Sequence, residues 1–487
     1  MSAQGDAREL ARVSSPPRAL RPALAVGSYA ALGLILAWSR LGGLGAGFCC
    51  DETIAVARYV RGGPDEIFGG AYLPNNHQLF SVLAWATSSL AGESEVALRL
   101  WSALPFLAGV VLVTVWLHAR LGALPGLLFL FLATASPLLL DLSRQARGYG
   151  LAFLAMCVLT VGALEATRSG RAGALVAFCA GGLLGLLTLP HFAVAFVAVG
   201  AVLATRSALR VRVVVGQSLA LALAALWWSP HLDDLLAGAR QEYGARIEGA
   251  WLASAPLDQI LIPALTMIDE SFVRPSAASL VAALVFAALM VASPLVRDPR
   301  PALVLVGGPA ASVLAFWAAG APVMPRFFSF LLVPLFVLVA TGIAALLARP
   351  PSRSAVPGWA VALAALLAVA LASGPRLVEI PRLPREALRE AASAIRAQSP
   401  PRGPVLAHLP YPHDLEFHLA RPVTWVVTRE DAAAACSGSG PAVVVMEAWR
   451  LDAKSFSCLR RPGTRHFAFE QYARGGRVDV WFLPPQA

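Results

Sequence analysis

LRLWSALPFLAGVVLVTVWLHARLGALPGLLFLFLATASPLLL, residues Leu98–Leu140, decides what kind of molecule this is. It contains two apolar runs, 98–117 and 123–140, parted only by His118-Ala119-Arg120-Leu121-Gly122, and its sole charges are Arg99 and Arg120. A bilayer core about 30 Å thick needs roughly 17–25 mostly apolar residues per helix, and each run meets that length. A lipid interior accepts a chain only if its backbone polar groups bond within the segment, so the runs are expected as helices. Outward from them lie further runs of the same kind at 22–40, 149–165, 172–188, 190–205, 211–229, 276–295, 302–320, 326–348 and 357–373. One more, Leu79–Ala91, is too short to span and is expected as a re-entrant or interfacial helix.

The whole composition agrees. Of 487 residues, 57% are hydrophobic and 14% charged, with a mean hydropathy of +0.66. Soluble domains sit near about 45–50% apolar and about 25% charged, so lipid must solvate much of this surface. The net charge of +10 comes from arginines scattered through short loops, with no aromatic-basic stripe. That pattern speaks for topology and lipid phosphate, not nucleic acid. The first run lacks a small-residue cleavage site after a short apolar core, so it reads as a retained helix behind the tail 1–21.

With eleven spans, Arg8, Arg12, Arg18 and Arg21 share a side with Arg120, Arg168, Arg171, Arg206, Arg210, Arg212, Arg297, Arg300, Arg349 and Arg353. Positive-inside bias then sets the N-terminus in the cytoplasm of a cell-membrane protein. Three polar pieces fall outside: the loop 41–97 with its short helix, the loop 230–275, and everything beyond the transmembrane region 22–375. The last piece, 376–487, changes character. A helical pattern over Pro384–Gln398 precedes strand-like runs Val405–Leu409, Val423–Val427, Ala442–Met446 and Val478–Leu483, which predicts a small extracytoplasmic α/β domain. Cys436 and Cys458 in it are placed to pair if that side is oxidising. Cys157 and Cys179 read as small buried hydrophobes, and adjacent Cys49 and Cys50 as reduced thiols.

Chemistry-bearing residues cluster at the outer mouths of the spans. Phe48-Cys49-Cys50-Asp51-Glu52-Thr53 sets two carboxylates where the dielectric falls, which suits a general base or equally a solvated acidic pair. Between two later spans stands Asp141-Leu142-Ser143-Arg144-Gln145-Ala146-Arg147-Gly148-Tyr149. Arg144 and Arg147, three apart, would share a helical face; they suit a lipid phosphate, or the neutralisation of Asp51 or Asp141. Asn75, Asn76 and His77, then Arg99, His191 and Arg326, are polar at the same depth. His191 at the Pro190 break is as readily a capping or packing residue, and Arg326 an interface anchor. Asp233, Asp234, Asp269, Glu270 and Arg274 in the second long loop cannot be ranked. Phosphate-loop, H-E-x-x-H and G-x-S-x-G motifs do not occur, so nucleotide-driven transport and common hydrolase chemistry find no support.

Taken in order, these motifs resemble the GT-C superfamily of polytopic glycosyltransferases, in the branch of protein O-mannosyltransferases and the lipid A aminoarabinose transferase. The resemblance runs over about residues 22–350 and rests on the Asp51-Glu52 pair and Asn75-Asn76-His77-Gln78-Leu79 before a short helix. It continues through Glu95-Val96-Ala97-Leu98-Arg99-Leu100, the Ser143-to-Tyr149 element, Leu189-Pro190-His191 and Pro325-Arg326-Phe327 before Pro334. The turn at His77 lacks the double proline that relatives often carry. The resemblance implies inverting sugar transfer from a polyprenyl-phosphate donor to a glycan, lipid or protein hydroxyl. Asp51 would be the base with Glu52 as neighbour or substitute, and Arg144, Arg147, Tyr149 and Arg326 would hold the donor phosphate. His77, Asn76, Arg99 and His191 would line the cavity. No cofactor is implied, although paired carboxylates leave room for a divalent metal. Two other classes stay open: a lipid or solute transporter, which should carry polar residues deep in its spans, and a scaffold using 376–487 to bind a partner.

Overall fold

In the computed structural model, residues 22–70, 72, 73, 75–235, 278–318, 325–348, 358–382, 387–398, 403–409, 412–426, 428–437, 441–447, 456–471 and 477–485 are described. The tail 1–21, most of the loop 230–275 with Asp269, Glu270 and Arg274, and Arg349 and Arg353 lie outside them. Each of the long apolar runs carries helix, as expected of a multi-pass membrane protein. Seven described helices are long and apolar enough to cross a bilayer, and an eighth if one bent pair counts as a single span. Helices Ala172–Thr188 and Phe192–Ala204 are apolar but shorter.

The bent pair is the run read as a single span over 123–140. It breaks into Ala123–Ala135 and Pro137–Ser143, which meet at 69°. Pro137 has no N–H to donate and drives the preceding Ser136 out of the helical region, to φ −77°, ψ 111°. Glu95–Leu121 runs longer than its apolar centre because its ends are well made. Ser94 Oγ accepts from the Ala97 N–H at 3.1 Å, Glu95 opens the first turn, and His118 and Arg120 close the last against the helix dipole.

The chain divides into two compact units that do not follow its order. One holds Met1–Trp38, Leu104–Ser143 and Tyr149–Pro375, with nearly all the apolar helices. Its helices Tyr149–Ser169 and Ala172–Thr188 press backbone to backbone. A Cβ on Gly162 would lie 2.5 Å from Phe178 N, and one on Gly181 would lie 2.5 Å from Leu159 N. This is the small-residue packing by which helices associate where no hydrophobic force separates protein from lipid.

The other unit gathers Ser39–Ala103, Arg144–Gly148 and Arg376–Ala487. The segment read from sequence as an outer loop is here largely helical, through Asp51–Ile54, Ala55–Val60, Arg61–Pro64 and Asp65–Gly69. Two of these turns are π-helical, and the chain kinks at Gly63, whose φ of 68° only glycine adopts cheaply. Helix Gln78–Ala91 follows, at the place expected for the short helix.

Residues after 387 fold as an α/β layer around five strands: β1 Val405–His408, β2 Thr424–Trp425, β3 Ala442–Glu447, β4 Arg465–Glu470 and β5 Arg477–Leu483. Their order is β2-β1-β3-β5-β4, with β1 parallel to β2 and β3, and β5 antiparallel to β3 and β4. The two-residue period of β1 and β3 divides the core. Val405, Ala407, Val443 and Val445 pack with Leu388, Ala391, Ala392 and Ile395 of helix Leu388–Ala397. Leu406, Val444 and Met446 pack on the other side with Val426, Ala432 and Phe456. Cys436 and Cys458 form a disulfide at the edge of that second core, while Cys49, Cys50, Cys157 and Cys179 are thiols outside any disulfide.

Candidate active site

The two neighbouring carboxylates meet opposite fates. Glu52 is buried, at 3% exposure, and Arg99 grips it with Nε to Oε1 at 2.9 Å and Nη2 to Oε2 at 2.8 Å. The Ala146 N–H donates to Oε1 at 2.5 Å and the Cys49 N–H to Oε2 at 3.4 Å. Arg99 spends its remaining donors on the carbonyls of Leu44 (2.7 Å), Ala46 and Gly47 (3.0 Å), and lies 5.2 Å over the Phe48 ring. A buried pair of this kind is tolerable only because every lone pair and N–H near it has work to do. It fastens the turn 44–47, the carboxylate segment and the Arg144–Gly148 element to one another.

Asp51, one residue earlier, keeps 22% of its side chain exposed. Its Oδ2 accepts from Nη1 of Arg147, whose guanidinium is 1% exposed. Nη2 of Arg147 sits 3.0 Å from His77 Nε2, and the Gly148 N–H donates to His77 Nδ1 at 2.9 Å. Arg147 thus makes an ion pair with Asp51. Both ring nitrogens of His77 face donors, and no neutral tautomer accepts from both.

Asn76 works beside this group. Its Nδ2 donates to the Ile67 carbonyl at 2.9 Å, and its Oδ1 accepts from Ser81 Oγ at 2.9 Å, which ties the π-helical turn to helix Gln78–Ala91. Arg144 donates through Nη1 to the Ile380 carbonyl, and its Nη2 stands close against Gly43. A Cβ on Gly43 would stand 2.3 Å from Arg144 Nη2 and 2.6 Å from the Pro381 carbonyl, and its φ is +70°, so both space and backbone demand glycine there. Arg40, at the end of the first span, is fully buried and bonds Ser39 Oγ at 2.8 Å.

The neighbouring carboxylates therefore anchor two hydrogen-bonded sets, Glu52 with Arg99 and Asp51 with Arg147 and His77, with Asn76 and Arg144 in the same unit. Tyr149, His191 and Arg326 belong to the other unit. There Tyr149 is buried at the start of helix Tyr149–Ser169, and His191 Nε2 lies 2.9 Å from the Phe327 carbonyl among the rings of Phe316, Phe328 and Phe330. Arg326 opens the 3₁₀ turn Pro325–Leu331 with its guanidinium 5.5 Å over Phe327.

Two participants had no signal in the sequence. Thr53 and Asp414 are both buried, and Asp414 accepts from the Cys50 N–H at 2.6 Å and from Thr53 Oγ1. Cys50 itself has φ 57°, ψ −127°, a backbone state that costs a non-glycine residue about 1–3 kcal/mol and persists only where its surroundings enforce it. Among the described residues, no three or more His, Cys, Asp or Glu side chains gather as they would around a metal ion.

No protein-family model and no curated protein matches this sequence. Solved structures do. ArnT from Cupriavidus metallidurans in the apo state is similar at 16% identity and a TM-score of 0.53, over 94% of this chain and 97% of that one. The same protein bound to undecaprenyl phosphate gives a TM-score of 0.52 at 16% identity, with the same 94% and 97% covered. The archaeal oligosaccharyltransferase AglB from Archaeoglobus fulgidus, in complex with an inhibitory peptide and a dolichol-phosphate, matches at 12% identity and a TM-score of 0.44, over 86% of this chain and 69% of that one.

Proposed function

We propose, from the fold the chain shares with the ArnT structures, that it transfers a sugar from a polyprenyl-phosphate carrier to an acceptor hydroxyl outside the cytoplasm, with inversion. The carrying observation is the unequal treatment of two adjacent carboxylates. Glu52 is enclosed and spends both oxygens on Arg99 and two backbone N–H groups. Asp51 is paired with Arg147 and keeps 22% of its side chain exposed. Asp51 is then the group an acceptor hydroxyl can reach, and it takes the proton as the oxygen attacks the anomeric carbon. Glu52 is the post that holds it in place rather than a substitute base.

Arg144 of the Ser143–Tyr149 element, which also bonds the Ile380 carbonyl, is a buried guanidinium of the kind that suits the phosphate that leaves. By motif order alone, Arg326 and Tyr149 are further donor-phosphate candidates. The undecaprenyl phosphate held by the similar ArnT structure supports a lipid-phosphate donor here. The arginine pattern supports a cytoplasmic N-terminus in the cell membrane. The Cys436–Cys458 disulfide supports an extracytoplasmic address for the C-terminal domain, since such bonds persist in oxidising compartments.

The test is to offer purified protein a panel of polyprenyl-phosphate sugars with candidate acceptors and to follow free polyprenyl phosphate by mass spectrometry. The expected result is release with one sugar and an inverted anomeric bond in the product. A donor that binds and crosses proteoliposome membranes unchanged, with no release under any acceptor, would mark a transporter instead.

A further inference from the structure

We infer that Asp414, in the C-terminal domain, is a positioning residue for the carboxylate Asp51, so that residues 376–487 complete the active site and are not an accessory module. The inference rests on the sugar-transfer reading for its catalytic half. Its geometric half stands alone.

Asp414 is 1% exposed, and its two oxygens meet one short stretch of chain, Cys50–Thr53, which brackets Asp51. Oδ2 accepts from the Cys50 N–H at 2.6 Å, and Oδ1 accepts from Thr53 Oγ1, which also lies 2.6 Å from the Cys50 carbonyl. Cys50 caps the helix Asp51–Ile54 with no side-chain cap of its own. The Asp414 carboxylate supplies that cap from far along the chain, with its negative charge at the positive end of the helix. Cys50 holds a left-handed φ that a cysteine does not choose unaided, and the residue whose side-chain direction follows from that φ is Asp51.

The grip is not a single bond. Asp414 lies on helix Pro412–Leu419, and the same helix sends His418 Nε2 to within 2.7 Å of the Phe48 carbonyl. Its Phe417 ring meets Phe48 edge to face at 6.3 Å. Helix Leu388–Ala397 adds Arg389, which bonds Glu95 at 2.9 Å. The stretch Phe48–Thr53 is thus held at both ends by the domain, and Asp414 takes the end that aims Asp51.

A misplacement of about 1 Å at a reacting group costs on the order of 100-fold in rate. Asp414→Asn keeps the shape but removes the negative charge: its amide oxygen can still accept from the Cys50 N–H, now as a weaker neutral bond, while its N–H must donate to Thr53 Oγ1, reversing that bond. The test measures turnover of the responding polyprenyl-phosphate sugar, thermal melting, and maleimide labelling of Cys50 located by peptide mass spectrometry, in wild type, Asp414→Asn and Thr53→Val. The expected result is a kcat lower by about 100-fold with donor KM within about twofold, unchanged melting, and faster labelling of the now-buried Cys50 thiol. Unchanged kcat in folded Asp414→Asn would overturn the inference. So would a loss of kcat that comes with collapsed melting and raised KM, because that is the signature of a merely structural residue. Should Asp414→Asn not fold, Thr53→Val carries the same readouts, since it removes the donor to Oδ1 and leaves the carboxylate. If wild type releases no polyprenyl phosphate, the sugar-transfer reading fails by itself. The labelling then still decides the geometric half, with faster Cys50 labelling upholding it and unchanged labelling overturning it.

Discussion

The two compact units invert each other's chemistry. In the helical unit, large apolar side chains such as Val111, Val115, Val211 and Leu226 face outward, and glycines such as Gly162 and Gly181 face inward where backbones touch. In the other unit the buried side chains include Glu52, Arg99, Arg147, Asn76, His77 and Asp414. Lipid asks nothing of an outward valine, so the first unit is built by van der Waals contact between small residues. The second encloses charges, which is costly unless each finds a partner, and that cost is borne where chemistry needs fixed dipoles. The place where a protein buries charge against its own stability is therefore the place to look for its function.

If that contrast is sound, the largest effect should follow from removing one side of the enclosed pair. Arg99→Ala leaves the Glu52 carboxylate buried without its counter-charge and should cost about 3–5 kcal/mol, read as a large fall in melting temperature. Glu52→Gln with Arg99→Leu should recover much of it; a melting temperature for Arg99→Ala equal to wild type would break the comparison. A smaller effect is expected in the helical unit. Gly181→Leu forces apart helices Tyr149–Ser169 and Ala172–Thr188 and should cost about 1–3 kcal/mol, whereas Val111→Leu on an outward face should change melting little. Equal losses at both positions would show that close packing is not what holds that unit.

The smallest effect should be a pH dependence in the grip on Phe48–Thr53. Burial holds His418 below its ordinary value, with Arg389 adding to the shift and the bond to the Phe48 carbonyl opposing it. The neutral ring is thus the form the folded protein prefers. Its contribution is whole above the unfolded value of about 6.5 and fades as pH falls from there through the lowered folded value. Hydrogen exchange at the amides of 48–53, corrected for intrinsic rate, should quicken at pH 5 relative to 7.5, and His418→Gln should remove the difference.

Much of this was legible in sequence, for physical reasons. The spans could be read because lipid permits few alternatives to a long apolar helix. β1, β3 and β5 could be read from compact apolar runs, but β4, Arg465-His466-Phe467-Ala468-Phe469-Glu470, could not, because an edge strand buries only part of one face. The helicity of 51–69 was hidden, since it draws on Arg99 and other distant partners and not on a local apolar period. Pro137 announced the bend after Ala135, yet the surrounding leucines read as one run. At the site, residue types were legible and pairings were not. Arg147 could equally have met a lipid phosphate, and Asp414 reaches Cys50 across 364 residues of chain.

The most direct test of the account compares Asp51→Asn with wild type in one assay of polyprenyl-phosphate release, with donor binding and melting measured alongside. The account predicts that Asp51→Asn binds donor, melts as wild type does and releases nothing measurable. Release at the wild-type rate by a folded Asp51→Asn would contradict it, and would move the search for the base away from the open carboxylate.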